Sequence, residues 1–414
     1  MGKQQKTDYD IIIAGGGMIG TSLGLALAPL KLKIAVVEAV ARGAEQQPSF
    51  DDRSTALSRS SQRMFEAIGL WPKIVAASTP IKSIHVSDKG RFGFSHIDAA
   101  QQKVEALGYV VINRVLGQVL QDALTGVDGL DLICPGTITA VAIADDQVEV
   151  VVEEPGKTGS LSCKLLVAAD GANSAVRDMI GISASRVDYE QWAVIGNLLP
   201  EKAPDNRAFE RFTETGPVAM LPVADNRAGF VWMLSPDSAK NMLSLTDAEF
   251  TQQLQETFGY RLGRFSKVGK RAAYPLALTK ANGLIARRSV IVGNAAHGLH
   301  PVAAQGFNLG MRDVAALCDC IADARIEQSE SFDCGNPAIL ENYADWRRND
   351  QGKVVRFTDG IVRLFGDTRP PVRALRNLGM LAFDMIPGVR KAFARHTMGL
   401  AGRLPRLSRG VPLK

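Results

Sequence analysis

From Tyr9 to Ala14 the chain is an isoleucine-rich apolar run, broken only by Asp10, that stops abruptly at Gly15. A run apolar at consecutive rather than alternate positions suits a strand buried on both faces, as in the middle of a parallel sheet. Ile19 to Ala28 are small or apolar with helical propensity, and Pro29 stands where such a helix has to end. A second β-branched run, Lys33 to Val37, follows. Strand, helix and strand in that order predict a βαβ unit and the start of a doubly wound sheet.

Further along, Ser83 to Ser87 and Tyr109 to Ile112 read as strands, and Val115 to Leu124 as a helix. Ile138 to Val152 predicts a β-meander interrupted by the polar turn Ala144-Asp145-Asp146-Gln147, and Leu165 to Ala169 a buried strand ending at Asp170-Gly171. Between about Gly181 and Leu284 the texture changes: Trp192 to Leu198, Ala208 to Phe212, Val218 to Pro222 and Ala228 to Leu234 are strand candidates separated by turns, which predicts a separate, mostly antiparallel layer. Ser289 to Val292 returns to the parallel-strand style, and beyond Gly310 the chain reads as largely helical. The expected fold is therefore α/β: a Rossmann-like doubly wound parallel sheet, an inserted and mostly antiparallel β-sheet substrate domain, and a helical C-terminus. The expected boundaries are 1–75, 105–180 and 285–335 for a discontinuous nucleotide-binding domain, 76–104 and 181–284 for the insert, and 336–414 for the helical region.

Composition narrows the function classes. With 414 residues the chain has room for two or three domains, and its net charge of +5 is too weak and too dispersed to argue for nucleic acid. Cys134, Cys163, Cys318, Cys320 and Cys334 form no Cys-x-x-Cys pair, so free thiols in a reducing compartment are expected. His85, His96, His297, His300 and His396 are scattered, and no metal site is expected. The polar start, Met1 to Asp10, lacks a signal-peptide core, and Lys6 stands where a myristoylation signal needs Ser or Thr. No apolar run approaches the roughly 20 residues that span a bilayer. The expected location is the cytoplasm, free or peripheral to the inner face of the membrane.

Three turns carry the chemistry. In Gly15-Gly16-Gly17-Met18-Ile19-Gly20, Gly15 permits a tight turn, Gly17 lets the backbone approach a pyrophosphate and Gly20 lets the helix pack on the strand. Helix N-terminal amides at Met18 and Ile19 then face the phosphate charge. Glu38, at the end of the next strand, is suited to accept from an adenosine ribose and disfavours a 2′-phosphate. The second turn is Val167-Ala168-Ala169-Asp170-Gly171, where Asp170 also reads as a helix-entry residue. The third runs from Val292-Gly293-Asn294-Ala295-Ala296-His297 through Pro301, Gln305, Gly306, Phe307, Asn308, Gly310 and Asp313, with a helix expected from Phe307 to Cys320. All three lie beyond the carboxyl ends of expected parallel strands, where open α/β sheets bind ligands.

This motif set resembles the aromatic hydroxylase class of FAD-dependent monooxygenases, with the p-hydroxybenzoate hydroxylase fold. Within that class the chain is similar to the ubiquinone-biosynthesis hydroxylases over nearly its whole length, most specifically in Phe50-Asp51-Asp52-Arg53-Ser54-Thr55-Ala56-Leu57, His85 to Gly90, Arg207 to Thr213, Gly216 to Pro222, Ala273 to Leu278 and His300 to Asp313. The resemblance implies FAD as cofactor, NAD(P)H as co-substrate and O2 activation through a flavin C4a-hydroperoxide. It also implies a substrate of the 2-polyprenyl-6-methoxyphenol type and partnership with ubiquinone-biosynthesis subunits. It assigns Gly15, Gly17 and Gly20 to the FAD pyrophosphate, Glu38 to the ribose, Arg53 to the flavin, and Asn113 or Arg114 to the phosphates. Asp170 is assigned to the motif shared by FAD and NAD(P)H, Gly293 and Asn294 to the ribityl chain, and Pro301 with Gly306, Phe307 and Asn308 to the ring. No particular side chain is named as catalytic.

The chain departs from this pattern twice. Asn294 stands where the family has Asp, which keeps an acceptor but drops a charge and predicts weaker FAD binding. Ala304 replaces the first glycine of Gly-Gln-Gly, and alanine is strained there if the position adopts positive φ. Met220, Leu221 and Pro222 are candidates to line an apolar substrate channel, with His300 and Pro301 beside them. His297 and His300 read as structural or substrate-lining, because the cofactor carries the oxidising power. Ser54 and Ser174 lack the Gly-x-Ser-x-Gly elbow of hydrolases. Arg390, Lys391, Arg395, Arg403, Arg406 and Arg409, interleaved with Phe393, Met398, Leu400 and Leu404, form either a membrane- or partner-facing basic surface or a packed tail with a solvated face. Two other readings stay open: a hydroxylase of a soluble aromatic, and a scaffold subunit without cofactor.

Overall fold

The computed structural model describes residues 7–41, 43, 53–90, 94–300, 304–366, 369, 371–372, 379 and 386–413. Strand Tyr9–Ala14 lies inside a mixed eight-stranded sheet, parallel to Ile34–Val37 on one side and to the end of Lys157–Ala168 on the other. Leu130–Ile133 and Ser289–Ile291 extend the parallel set outward. Ile11, Ile12 and Ile13 have no exposed surface. Ile11 and Ile13 pack against residues of helices Met18–Leu27, Asn113–Leu124 and Gln305–Gln328, whereas Ile12 meets Val148, Val150, Val152 and Val176 on the opposite face. Burial of such side chains contributes about 1.5–3 kcal/mol each, and it explains why this strand carries no polar alternation.

Lys157–Ala168 starts earlier than the expected Leu165 to Ala169. Its first half pairs antiparallel with Val148–Glu154 in a meander and is half exposed; its last residues turn parallel to Tyr9–Ala14 and are buried. One strand thus changes from an amphipathic to an all-apolar pattern as its surroundings change.

The inserted sheet has nine strands, among them Ser83–Asp88, Ala184–Pro200, Arg207–Phe212, Val218–Pro222, Ala228–Leu234 and Ala272–Ala281. The pairing is antiparallel apart from Arg207–Phe212, which runs parallel to Ser83–Asp88. Helices Pro236–Ser244 and Asp247–Phe258 cover one face through Phe209, Met220, Phe230, Trp232, Phe250 and Leu254. The other face looks toward a small sheet of Ser54–Ser58, Ser78–Ile81 and Gly108–Ile112. Ala184–Pro200 is far longer than the expected Trp192 to Leu198, because a bulge at Asp188/Gln191, with Glu190 at φ +52°, lets a polar segment continue the ladder.

Helix Gln305–Gln328 exceeds the expected Phe307 to Cys320 at both ends and is followed by Pro337–Gly366 and Pro387–Thr397. The expected helical region 336–414 then stops being helical. Gly399 and Gly402, at φ +70° and +79°, turn the chain, and apart from the single turn Leu407–Arg409 it runs irregularly, burying Leu407 and Leu413. The tail is therefore partly packed: Arg406 pairs with Asp319 at 3.3 Å, and Arg403 lies 3.9 Å over the Trp346 ring, while Lys391 and Arg395 stay exposed.

Candidate active site

The first and second turns touch at Gly15, whose φ is +101° and where a Cβ would stand 2.6 Å from the Ala169 carbonyl oxygen and 2.9 Å from Asp170 Cα. The first and third touch at Gly293, φ +61°, where a Cβ would stand 3.1 Å from Ile19 Cγ2. Gly310 completes the junction, since a Cβ there would meet Ile19 Cδ1 at 2.9 Å and Gly293 Cα at 3.1 Å. Turns far apart in sequence therefore meet at one sheet edge. A Cβ at Gly20 would lie 1.9 Å from the Gly15 carbonyl oxygen, so only glycine lets helix Met18–Leu27 close on the turn.

Glu38 accepts from the Gly16 amide at 2.7 Å through Oε2 and from the Val40 amide at 2.9 Å through Oε1. Each oxygen keeps a lone pair for a ribose hydroxyl. A Cβ at Gly16 would come within 2.7 Å of Glu38 Cβ, so the middle glycine of the triplet, which carries no role in the Gly-x-Gly-x-x-Gly pattern, is required as well. Gly17 is the N-cap of the helix, with φ −66° and ψ −177°.

Asp170 accepts from the Val176 amide at 3.1 Å and from the Ser174 hydroxyl. In this geometry it organises entry into helix Ala175–Met179, where Ser174 is the N-cap. Asn113 begins helix Asn113–Leu124, is buried, and accepts from the Thr55 hydroxyl at 2.6 Å. The Arg53 guanidinium lies 4.6 Å over the Tyr274 ring, joining the loop before Ser54–Ser58 to the inserted sheet.

In the third motif Asn294 is exposed, at the open side of the cradle. Ala304 adopts left-handed geometry, φ +49° and ψ +40°, so the strain expected of alanine there is present. Gly306 faces open space and Phe307 is half-buried. Asn308 spends its whole side chain on the protein: Oδ1 accepts from the Ser58 amide and the Ser61 hydroxyl, and Nδ2 donates to the Ala56 and Ala304 carbonyls, all at 2.8 Å. It holds the start of helix Gln305–Gln328 onto Ser54–Ser58, which leaves its backbone for any cofactor contact. Pro301 lies outside the described residues, as do Phe50, Asp51 and Asp52.

Asp313, which has no assigned role in the sequence motif, is the residue that fastens the third turn. Its Oδ2 receives the Gly293 amide at 3.0 Å and lies 2.6 Å from His297 Nε2; its Oδ1 receives Arg347 Nε at 2.7 Å and Gln351 Nε2 at 2.9 Å. Burial opposes its ionisation, but His297 and Arg347 outweigh that and hold the carboxyl well below the ordinary carboxylate range. The third turn is thus pinned from below by a buried ionic knot. The only signal in the sequence was an acid at helical spacing from a glycine turn.

Among the substrate-lining candidates, the strand pleat separates Met220 from Leu221. Met220 is buried under the covering helices with Phe250, whereas Leu221 faces Ala56 and Ile112 of the small sheet. Pro222, next along, is buried. His300 is buried, 3.2 Å from Gln191 Oε1 and edge-on to Tyr189 at 5.0 Å; burial lowers its pKa to about 4, so it is neutral. Ala193, Ile195, Val231, Met233 and Leu276 form an apolar patch on the same face as Leu221, a patch the sequence reading did not single out. Among the described residues no group of acids, histidines and cysteines is placed to hold a metal.

Residues 8–358 match the FAD binding domain family. The chain is also 36% identical to ubiquinone hydroxylase UbiL of Rhodospirillum rubrum, the alignment covering 98% of this chain and 93% of the relative. The chain belongs to these FAD-dependent monooxygenases. A second relative in the same family, the 3-demethoxyubiquinol 3-hydroxylase of Escherichia coli, is 32% identical over 94% of this chain and 98% of its own. The crystal structure of p-nitrophenol 4-monooxygenase PnpA from Pseudomonas putida superposes with a TM-score of 0.78, covering 96% of this chain and 100% of that one at 18% identity, and so shares the fold. FAD is the cofactor that this flavoprotein's glycine cradle fits: the clearances at Gly15 and Gly20 and the spare acceptors of Glu38 are those a dinucleotide requires.

Proposed function

We propose that the protein hydroxylates the ring of a polyprenylated phenol of the 2-polyprenyl-6-methoxyphenol type in ubiquinone biosynthesis, with NAD(P)H and O2 as co-substrates. The observation that carries this reading is the meeting of the three turns at one sheet edge, beside a sheet face whose residues Ala193, Val231, Met233 and Leu276 are apolar. Bound FAD would supply the redox chemistry that activates O2, with electrons from NAD(P)H. The amides of Gly17, Met18, Ile19 and Gly20 would hold its pyrophosphate, Glu38 its ribose, and Arg53, Asn113 and Asp170 its flanks. Gly293, Asn294, Gly306, Phe307 and the backbone of Asn308 would border the ribityl chain and ring.

The protein's own work is then to exclude water, to seat an aromatic ring against the cradle and to leave room for an apolar tail. Neutral His300, held against Gln191 and Tyr189, stands beside that apolar patch. No helix among the described residues is long and apolar enough to cross a membrane. Exposed Ile386 and Val389 beside exposed Lys391 and Arg395 support a peripheral contact with an anionic membrane or with partner subunits of the pathway.

Two measurements test this. The purified protein is expected to be yellow with bound flavin; a colourless protein that takes up no added FAD would favour a scaffold role. Lipid mass spectrometry of a deletion strain is expected to reveal an accumulated, unhydroxylated polyprenylphenol, and ordinary ubiquinone content there would reject the assignment.

A further inference from the structure

Glu210 lies on the inserted strand Arg207–Phe212, and its register fixes which way it faces. It stands opposite Ala219, which stands opposite Val231, which stands opposite Ile195, so these four side chains share one row on one face. That face is the one carrying Ala193, Met233 and Leu276 and turned toward Ser54–Ser58, not the one under the covering helices. In the neighbouring row, Gly229 would bring a Cβ within 3.3 Å of Ser54 Oγ, one residue from Arg53.

On this apolar face Glu210 is anomalous. The residue keeps some surface open, but its Oε1 is sealed from solvent and has no hydrogen-bond partner among the described residues. Charged groups stand nearby without reaching it. Asp88 is one pleat along on the adjacent strand, Arg207 donates to Ser83 and Arg211 reaches the Phe258 carbonyl. Asp359 and Arg363, on the long helix, act on Tyr189. Burial alone raises the Glu210 carboxyl to about 7. A second polar group on this patch, the Tyr189 hydroxyl, is also sealed and unpartnered. Buried polar atoms in native proteins are nearly always paired, so two orphans on one largely apolar face point to a polar group supplied from outside.

We propose that Glu210 receives the phenolic hydroxyl of the substrate, with Tyr189 marking the same patch as the place where the polar end of an otherwise apolar molecule is bound. This rests on the functional reading above. The proton passes from the phenol oxygen to the Glu210 carboxylate: the phenol O–H bond breaks, the carboxyl O–H bond forms, and the electron pair stays on the phenolate oxygen. Electron density rises at the ring carbons ortho and para to it, where an electrophilic oxygen is accepted. The hydroxylated carbon then loses its ring hydrogen as a proton, which balances the negative charge left on the oxygen donor and restores the aromatic ring. The proton held by Glu210 returns to the product's phenolic oxygen, and Glu210 is unchanged over the cycle. A carboxylate titrating near neutrality is a stronger base than an ordinary one, and a substantial fraction of it is ionised at neutral pH.

The test uses the FAD-loaded protein with 2-geranylphenol as probe. In the wild type, kcat for hydroxylated product is expected to rise with pH through neutrality, and the bound probe to show the ultraviolet difference band of a phenolate. Glu210→Gln is expected to lower kcat about a hundredfold, the size of a lost general base, to flatten the pH limb and to abolish the phenolate band, while FAD content and melting temperature hold. Glu210→Asp, which keeps the charge, is expected to retain the limb at reduced kcat. A Glu210→Gln protein with unchanged kcat, pH profile and phenolate band overturns the proposal alone. A wild type that binds FAD but forms no hydroxylated product from the probe counts against the functional reading and takes the proposal with it.

Discussion

The two sheets meet the same demand, holding a ligand, by opposite means. On the nucleotide side the contact surface is backbone: glycine turns at Gly15, Gly20 and Gly293 clear space for one another, and Asp313, wholly enclosed, fastens them to the helices behind. On the inserted side the contact surface is side chains on an open pleat, where Ala193, Val231, Met233 and Glu210 face one way and Met220, Phe230 and Trp232 the other. A backbone cradle tolerates almost no change in residue type but fixes one ligand geometry. A pleated face keeps its fold when residues change, so its ligand can vary. Cofactor choice is thus built into the framework, and substrate choice is laid upon it.

The most damaging change strikes the framework. Asp313→Ala takes the shared carboxylate from His297, Gln351 and the Arg347 Nε while Arg347 keeps Asp350, and loss of such a buried contact costs about 3 kcal/mol, the low end for a broken buried pair. Chemical denaturation should show that loss together with release of FAD; a variant that melts normally and stays yellow would mean the ionic knot is dispensable. Next, the two sides of the pleat can be set against each other. Met220→Ala, in the helix-covered core, is expected to remove about 2–5 kcal/mol of stability with little change in KM. Leu221→Ala is expected to do the reverse, raising KM for a prenylphenol with a smaller loss of stability. Equal effects on KM would erase the assignment of the two faces.

Acid sensitivity separates the regions further. Burial lowers both His85 and His300 to about 4, below the ordinary histidine value. Between pH 6.5 and 4 the unfolded chain therefore binds more protons than the folded one, so stability falls as pH falls through that window. Replacing His300 by Gln should flatten the urea midpoint across it, and an unaltered slope would show that His300 does not titrate this way. The smallest expected effect is a gain. Ala304→Gly relieves a left-handed alanine and should stabilise the fold by about 1 kcal/mol, readable as a small rise in melting temperature.

Much of the cradle was legible in sequence because glycine is the residue whose presence is dictated by backbone geometry. Gly15, Gly17, Gly20 and Gly293 mark turns whatever surrounds them, and Glu38 follows at a spacing that strand and helix lengths impose. The buried strand around Ile11, Ile12 and Ile13 was equally plain, since a strand covered on both faces has no polar alternation to hide it. The long inserted strand was not: Ser185, Arg186 and Asp188 look like a loop, yet they pair with Ala272–Ala281 on the far side of a bulge that contains Glu190. Asp313 and Asn308 gave no local sign of their tasks, because each is defined by partners on other elements.

Local sequence was enough for the glycine turns, the parallel core and a dinucleotide site, all of which depend on steric rules acting within a few residues; that the dinucleotide is FAD came from the family resemblance. Only the tertiary structure decided that those turns touch, that Met220 and Leu221 face opposite ways, and that Glu210 ends on an apolar face without a partner. These depend on strand register and on which element packs where. A shift of one residue in pairing would exchange the two faces while leaving every local pattern in the chain as it is.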